Sequence, residues 1–148
     1  MSFKGSTLRN LDTKGRLMLP LGFREELIQR ESENRVVLSC LDGCVIAFPV
    51  PRWEYIEHKL SEVKNPSLDF RNFKRKFVGY ATEVELDGQG RINIPRAHLD
   101  FGDLHRNILI IGQLERFEIW DQARFEALPF DMGAIHKELS ENDVDIGL

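Results

Sequence analysis

The chain has 148 residues, 42% of them hydrophobic and 30% charged, with a formal net charge of −4. This is the composition of one compact soluble body or two coupled halves, with no apolar run long enough to span a bilayer. No apolar stretch near the N-terminus resembles a secretory leader, so a cytoplasmic location without a membrane partner is expected. The charge is uneven: residues 1–80 hold 14 Lys/Arg against 10 Asp/Glu, whereas residues 81–148 hold 6 against 14. Exposed charges beyond about 10 Å are largely screened, so a polyanion feels the local field rather than the total. An acidic total therefore does not exclude nucleic acid.

In chain order, Thr7-Leu-Arg-Asn-Leu11 reads as a strand leading into the polar turn Asp12-Thr-Lys-Gly15-Arg16. Leu17 and Leu19 then alternate with Arg16 and Met18, the period of a half-buried strand. Pro20 stops that strand, because proline cannot donate a ladder hydrogen bond. A short helix is predicted over 21–28, then a strand over 36–40 that opens a second hairpin. Cys40 and Cys44 are the chain's two cysteines, and without a partnering Cys or His pair they read as thiols in a strand core.

Two helices are predicted next. Trp53, Ile56, Leu60 and Val63 recur at helical spacing between Pro51 and Pro66. Phe70, Phe73 and Phe77 do the same, interleaved with Arg71, Lys74, Arg75 and Lys76. That cluster reads either as a phosphate-contacting face or, as the favoured reading, as a solvated outer face with its Phe stripe turned to the core or to a neighbouring subunit. The stripe is also the best candidate surface for self-association.

The chain then repeats itself. Asp87-Gly-Gln-Gly90-Arg91-Ile-Asn-Ile-Pro95 restates Asp12 to Pro20 at an offset of 75 residues. Thr82-Glu-Val-Glu-Leu86 supplies the preceding strand, and a shorter helical segment follows over 96–104. Ile108 to Gly112 matches Val36 to Cys40 at an offset of 72, as do Trp120 with Phe48 and Phe125 with Trp53. The change of three residues is expected to be a deletion in the loop before the third strand of the unit. One unit is about 45 residues, too few to bury a stable core alone. Two interleaved units solve that problem, which predicts a pseudo-symmetric barrel. The acidic stretch from Asp131 to Leu148 is expected to be a partly ordered appendage.

An enzyme reading has no support. No nucleophile has a placed His, no carboxylate pair carries a motif, and Lys14-Gly15-Arg16 is not an NTPase phosphate loop. His58, His98, His105 and His136 share no ligand spacing, so no metal or other cofactor is expected, and no small-molecule substrate is evident. The doubled Asp-x-x-x-Arg turn is the candidate site. An Arg at a hairpin tip can offer a planar fork to a phosphate or to the O6/N7 edge of guanine. The Asp four residues earlier can hold it in one orientation, and Lys14 and Gln89 stand at matching places in the two loops. From chemistry alone, a merely local ion pair worth about 0–1 kcal/mol explains the Asp and Arg equally well.

The residues also resemble a known family. The doubled D-x-[KQ]-G-R motif, with Gly5 to Asp12, Tyr80 to Asp87, Gly112-Gln and Phe117-Glu-Ile-Trp120-Asp, is similar to the MraZ family over residues 3–128. The resemblance implies a mainly β, α+β fold: a swapped-hairpin AbrB-like barrel built from two internal repeats, plus linker helices. The units expected are residues 6–53 and 81–124, with a helical linker over 54–80 and a C-terminal helix and tail over 125–148. It further implies a DNA-binding transcriptional regulator, a repressor, of the bacterial division and cell-wall gene cluster. Such a regulator would associate with the nucleoid, form ring-like homo-oligomers and bind tandem promoter repeats in double-stranded DNA. The family's DNA-contacting turn falls on Asp12 and Arg16 and on Asp87 and Arg91, and Lys14 and Gln89, long hydrogen-bonding side chains in the same loops, complete the expected DNA-binding set. The competing expectation is a ring-forming structural protein whose turns only brace subunits.

Overall fold

The computed structural model describes residues 2–148, which form eight strands and six helices. The first copy of the repeat supplies β1 (Ser6–Asn10), β2 (Arg16–Met18), α1 (Leu21–Gln29), β3 (Arg35–Leu41) and β4 (Cys44–Phe48). Helices α2 (Val50–Ser61) and α3 (Leu68–Gly79) follow. The second copy supplies β5 (Thr82–Glu85), β6 (Arg91–Asn93), α4 (Arg96–Phe101), β7 (Asn107–Gly112) and β8 (Phe117–Asp121). The chain then forms α5 (Gln122–Glu126) and α6 (Met132–Glu141). Pro20 and Pro95 sit at the N-caps of α1 and α4, where a missing N–H costs nothing.

The three-residue change of offset lies in a helix, not in the loop where it was expected. α1 has nine residues and α4 has six. The loops that follow, 30–34 and 102–106, are equal in length. Helix length is the freer parameter here because α1 and α4 need only span from the proline to the same loop.

The repeats exchange strands. The main sheet has the order β1-β7-β8-β4-β3-β5, which reads the same backwards when each strand is replaced by its counterpart in the other repeat. β1 pairs with β7 and β5 pairs with β3, so each repeat's first strand completes the other repeat's sheet. The turn after β1 does fold back, with Asp12 N–H donating to the Arg16 carbonyl at 3.1 Å. The strands then part instead of forming the hairpin ladder the sequence suggests, because β2 pairs with β6 in a separate two-stranded ribbon. Leu17 faces Ile92, its own counterpart, in that ribbon, and Ile46 faces its counterpart Glu118 where β4 meets β8. Both pairs lie on the pseudo-two-fold axis. Hydrogen bonding is not continuous around the body: β1 and β5 are the sheet's edges, and the ribbon packs across one of its faces.

Two apolar layers result. Between ribbon and sheet, Leu17, Leu19, Ile92 and Ile94 meet Val36, Leu38, Ile108, Ile110, Phe117 and Ile119, with Phe3 and Phe23 closing one side. On the sheet's other face, Val37, Ile46 and Phe48 meet Trp53 from α2 and Phe77 from α3. β4 is therefore buried on both faces, which explains its unbroken apolar run. Cys40 and Cys44 are buried there, and burial pushes the Cys40 thiol up to about 12, leaving it inert.

Two residues of the α3 Phe stripe are spent inside the subunit, while Phe70 stays half-buried beside Arg71 and Lys74 in a surface depression. Phe77 is 5% exposed and Phe73 packs against the same cluster, stacked on Phe77 at 5.0 Å. Phe73 and Phe77 are thus taken up by the subunit's own core and not by the self-association surface expected of the stripe, because together with Trp53 they cover the outer face of β3 and β4. The apolar residues left exposed include Leu128, Phe130 and Met132, around the start of α6.

Candidate nucleic-acid interface

The two Asp-x-x-x-Arg turns are the same object built twice. Asp12 Oδ1 accepts from the Lys14 and Arg16 N–H groups at 2.9 and 2.8 Å. Asp87 Oδ1 accepts from Gln89 and Arg91 N–H, each at 2.9 Å. Each loop reverses at a glycine in the left-handed region, Gly15 and Gly90, both with φ of 79°. Only glycine takes that conformation without a Cβ clash, which is why both loops carry one there.

The second oxygen of each Asp holds the Arg. Arg16 Nε donates to Asp12 Oδ2 at 2.6 Å, and Arg91 Nε donates to Asp87 Oδ2 at 2.8 Å. Hydrogen bonds from the Arg16 and Arg91 backbone amides, chief among several from the same turn, hold both carboxyls below their ordinary 3.8. Each carboxylate therefore stays charged at neutral pH and fixes its guanidinium by the Nε edge. The terminal NH2 groups of Arg16 and Arg91 make no hydrogen bond or ion pair among the described residues. A guanidinium so held presents its outer edge, the edge that forks onto a phosphate or a guanine.

Both Arg residues lie on one face of the ribbon. Arg16 pairs with Asn93 and Met18 with Arg91, so these four alternate outward while Leu17 and Ile92 point into the core. Arg16 and Arg91 sit diagonally at the ribbon's two ends, two residue steps apart, or roughly 8 Å from strand spacing and rise. Their side chains are 33% and 26% exposed, Lys14 and Gln89 are exposed in the loops, and none of the six predicted residues is in the core.

Supporting residues that motif reading passed over come from α1, α4 and the loops before β3 and β7. Leu99 of α4 lies over Gly15, and its counterpart Arg24 of α1 lies over Gly90. The Leu11 N–H donates to the Arg106 carbonyl at 2.8 Å, and the matching Leu86 N–H donates to the Asn34 carbonyl at 2.7 Å. Aligning the repeats through the helices would have exposed these pairs, since Arg24 and Leu99 stand 75 residues apart and Asn34 and Arg106 stand 72 apart.

Comparison with known proteins agrees with this doubled architecture. A family model described as "MraZ protein, putative antitoxin-like" matches the chain twice, over residues 2–76 and 77–139. The protein named Transcriptional regulator MraZ of Nitratidesulfovibrio vulgaris is 43% identical over 146 residues, covering 98% of each chain. That of Oleidesulfovibrio alaskensis is 42% identical over 146 residues, again 98% of each. That of Shewanella baltica is 41% identical over 122 residues, 81% of this chain and 80% of the relative. Matched in both halves by one family model and along its length by these relatives, the chain belongs to the MraZ family, whose relatives here are named as transcriptional regulators.

Proposed function

We propose that the protein is a sequence-specific DNA-binding regulator of transcription, acting as a repressor, that reads tandem promoter repeats through its two Asp-x-x-x-Arg turns. The observation that carries the reading is the pair of guanidiniums, each held by Nε on its own Asp with its outer edge unoccupied, on one face of the ribbon. A local brace between exposed groups needs no such duplication. The names of the relatives support a role in transcription. The targets proposed are those the family resemblance implies, the bacterial division and cell-wall genes, with the chain in the cytoplasm at the nucleoid.

One chain offers two Arg-bearing turns, few contacts for a specific site at physiological salt. A ring-like homo-oligomer would let neighbouring copies read neighbouring repeats, raising apparent affinity by about 10²- to 10⁴-fold. Exposed Leu128, Phe130 and Met132 are apolar side chains such an interface can cover. The test is titration of a duplex from upstream of the chain's own gene, intact or cut to a single repeat, with light scattering of the free protein. The reading expects an oligomer, tight repeat-dependent binding and a steep loss of affinity with salt. A monomer, or equal affinity for one repeat and several, contradicts it.

A further inference from the structure

The two turns share a backbone but not a neighbourhood. Two surface depressions meet at Thr13 in the first turn: one is lined by Asn10, Asp12, His105 and Arg106, the other by Lys14 and Arg96. The depression beside the second turn is lined by Arg24, Glu25, Glu33 and Asn34, with Asp87. The register of the repeats makes this a position-by-position comparison. Lys14 is matched by Gln89, and Arg106 by Asn34, through the equivalent hydrogen bonds from Leu11 and Leu86. His105 is likewise matched by Glu33.

Charge pairing sharpens the difference. Arg96 is already bridged to Asp100 at 3.1 Å, and the His105 ring is occupied by Asp121, whose Oδ1 lies 3.1 Å from its Nδ1. Lys14 and Arg106 are exposed and their side chains bond to nothing among the described residues, so they are the cations free to meet a phosphate. At the second turn the cation Arg24 also lacks an ion pair among the described residues, but it is half-buried, with its Nε out of solvent and its guanidinium against the Gly90 backbone, and Glu25 and Glu33 share its depression. Acidic groups there repel a phosphate that the first turn attracts.

We propose that Lys14 and Arg106 grip the phosphate backbone beside the first turn while the second turn has no such grip, so that each chain sits on its repeat in one orientation. This rests on the DNA-binding reading above. A pseudo-two-fold module would otherwise dock either way round, and a direct repeat requires one way only. The grip adds sequence-independent attraction at the first turn. At the second, Gln89 and Asn34 are neutral hydrogen-bonding groups that interact with phosphate more weakly.

The experiment measures the salt dependence of binding by full-length protein to the upstream duplex and to a scrambled duplex of equal length. Wild type, Lys14→Gln, Arg106→Ala and Asn34→Ala are compared, each checked for an unchanged circular dichroism spectrum and particle size. Lys14→Gln and Arg106→Ala should each flatten the log–log salt slope by roughly 0.9, the value for one phosphate contact, on both duplexes. Asn34→Ala should leave the slope unchanged. In hydroxyl-radical footprints, Arg106→Ala should lose protection on one flank of each repeat. Unchanged slopes for Lys14→Gln and Arg106→Ala in a protein that still binds the upstream duplex overturn the grip and leave the DNA-binding reading standing. Equal loss of protection on both flanks overturns the single orientation. A wild-type chain that binds neither duplex overturns both readings.

Discussion

The first turn and the second turn have the same glycine φ, the same Asp acceptor pattern and the same Nε contact, yet the side chains around them differ. Leu99 covers one glycine and Arg24 the other. Arg106 stands where its counterpart is Asn34, and His105 where its counterpart is Glu33. A turn of this kind is fixed by its own few residues, the Asp, the Gly and the Arg. Its lining comes from elements far away in sequence, whose side chains the turn's own geometry does not dictate. Duplication in one chain thus supplies a symmetric scaffold with an asymmetric surface.

Separating the halves is the most drastic way to break this comparison, because each turn leaves a strand that belongs to the other half's sheet. A fragment of residues 1–64 retains β3 but lacks the β5 that pairs with it, and its β1 has lost β7. It should show no cooperative unfolding as a monomer, since it cannot bury enough apolar surface to offset its chain entropy. A monomeric fragment that melts cooperatively would refute the exchanged-strand account.

Substitution at the glycines tests whether the turns really share one backbone. Gly15→Ala and Gly90→Ala should each destabilise the protein by about 1–2 kcal/mol, the cost of a left-handed L-residue. At Gly90 the new Cβ would also lie 2.4 Å from an Arg24 nitrogen, so that flexible guanidinium must move aside. Equal denaturation midpoints for wild type and both variants would show that the turn conformation is not held.

A subtler separation comes from acid. His98 of α4 occupies the place of Phe23 in α1, is 2% exposed and pairs its Nε2 with the Tyr80 carbonyl at 2.7 Å. Burial lowers its pKa below the ordinary 6.5, so the unfolded chain takes up a proton more readily than the folded one. Stability contributed by the neutral ring is complete above 6.5 and declines as pH falls from 6.5 through the lowered value. His98→Phe, which makes α4 resemble α1, should flatten the stability profile over that window. An unaltered profile in urea titrations across pH would remove His98 from the account. Asp12 and Asp87 titrate lower, so their hold on Arg16 and Arg91 is complete above 3.8 and is lost only as pH falls through their lowered values.

The smallest effect on stability belongs to the ion pairs themselves. Asp12→Asn should scarcely move the midpoint, because its pair with Arg16 is half-exposed and solvent-screened. It should nevertheless weaken duplex binding by freeing the guanidinium to rotate. A large loss of stability with unchanged affinity would mark the pair as a brace only.

Much of this was legible in the residues. The doubled motif, the proline stops, the alternation around Leu17 and Ile92 and the helices over α2 and α3 follow from local chemistry. Strand partners did not, because the Asp-to-Arg turn looks alike whether its strands pair with each other or diverge, as β1 and β2 do. The fate of the Phe70, Phe73 and Phe77 stripe also depended on the long-range fact that the outer face of β3 and β4 needed a cover. The turn residues were readable because their geometry is local. Arg24, Leu99, Asn34 and Arg106 were not, because only the folded register brings them beside the turns.

The central claim is that Arg16 and Arg91 act as two DNA-reading forks on one face. Its most direct test is the affinity of the Arg16→Ala, Arg91→Ala double variant for the upstream duplex, measured beside wild type and each single variant at one fixed salt concentration. Each single change should cost roughly 1–3 kcal/mol of binding and the double change close to their sum, with fold and particle size intact. A folded double variant that binds the duplex as tightly as wild type would contradict the account.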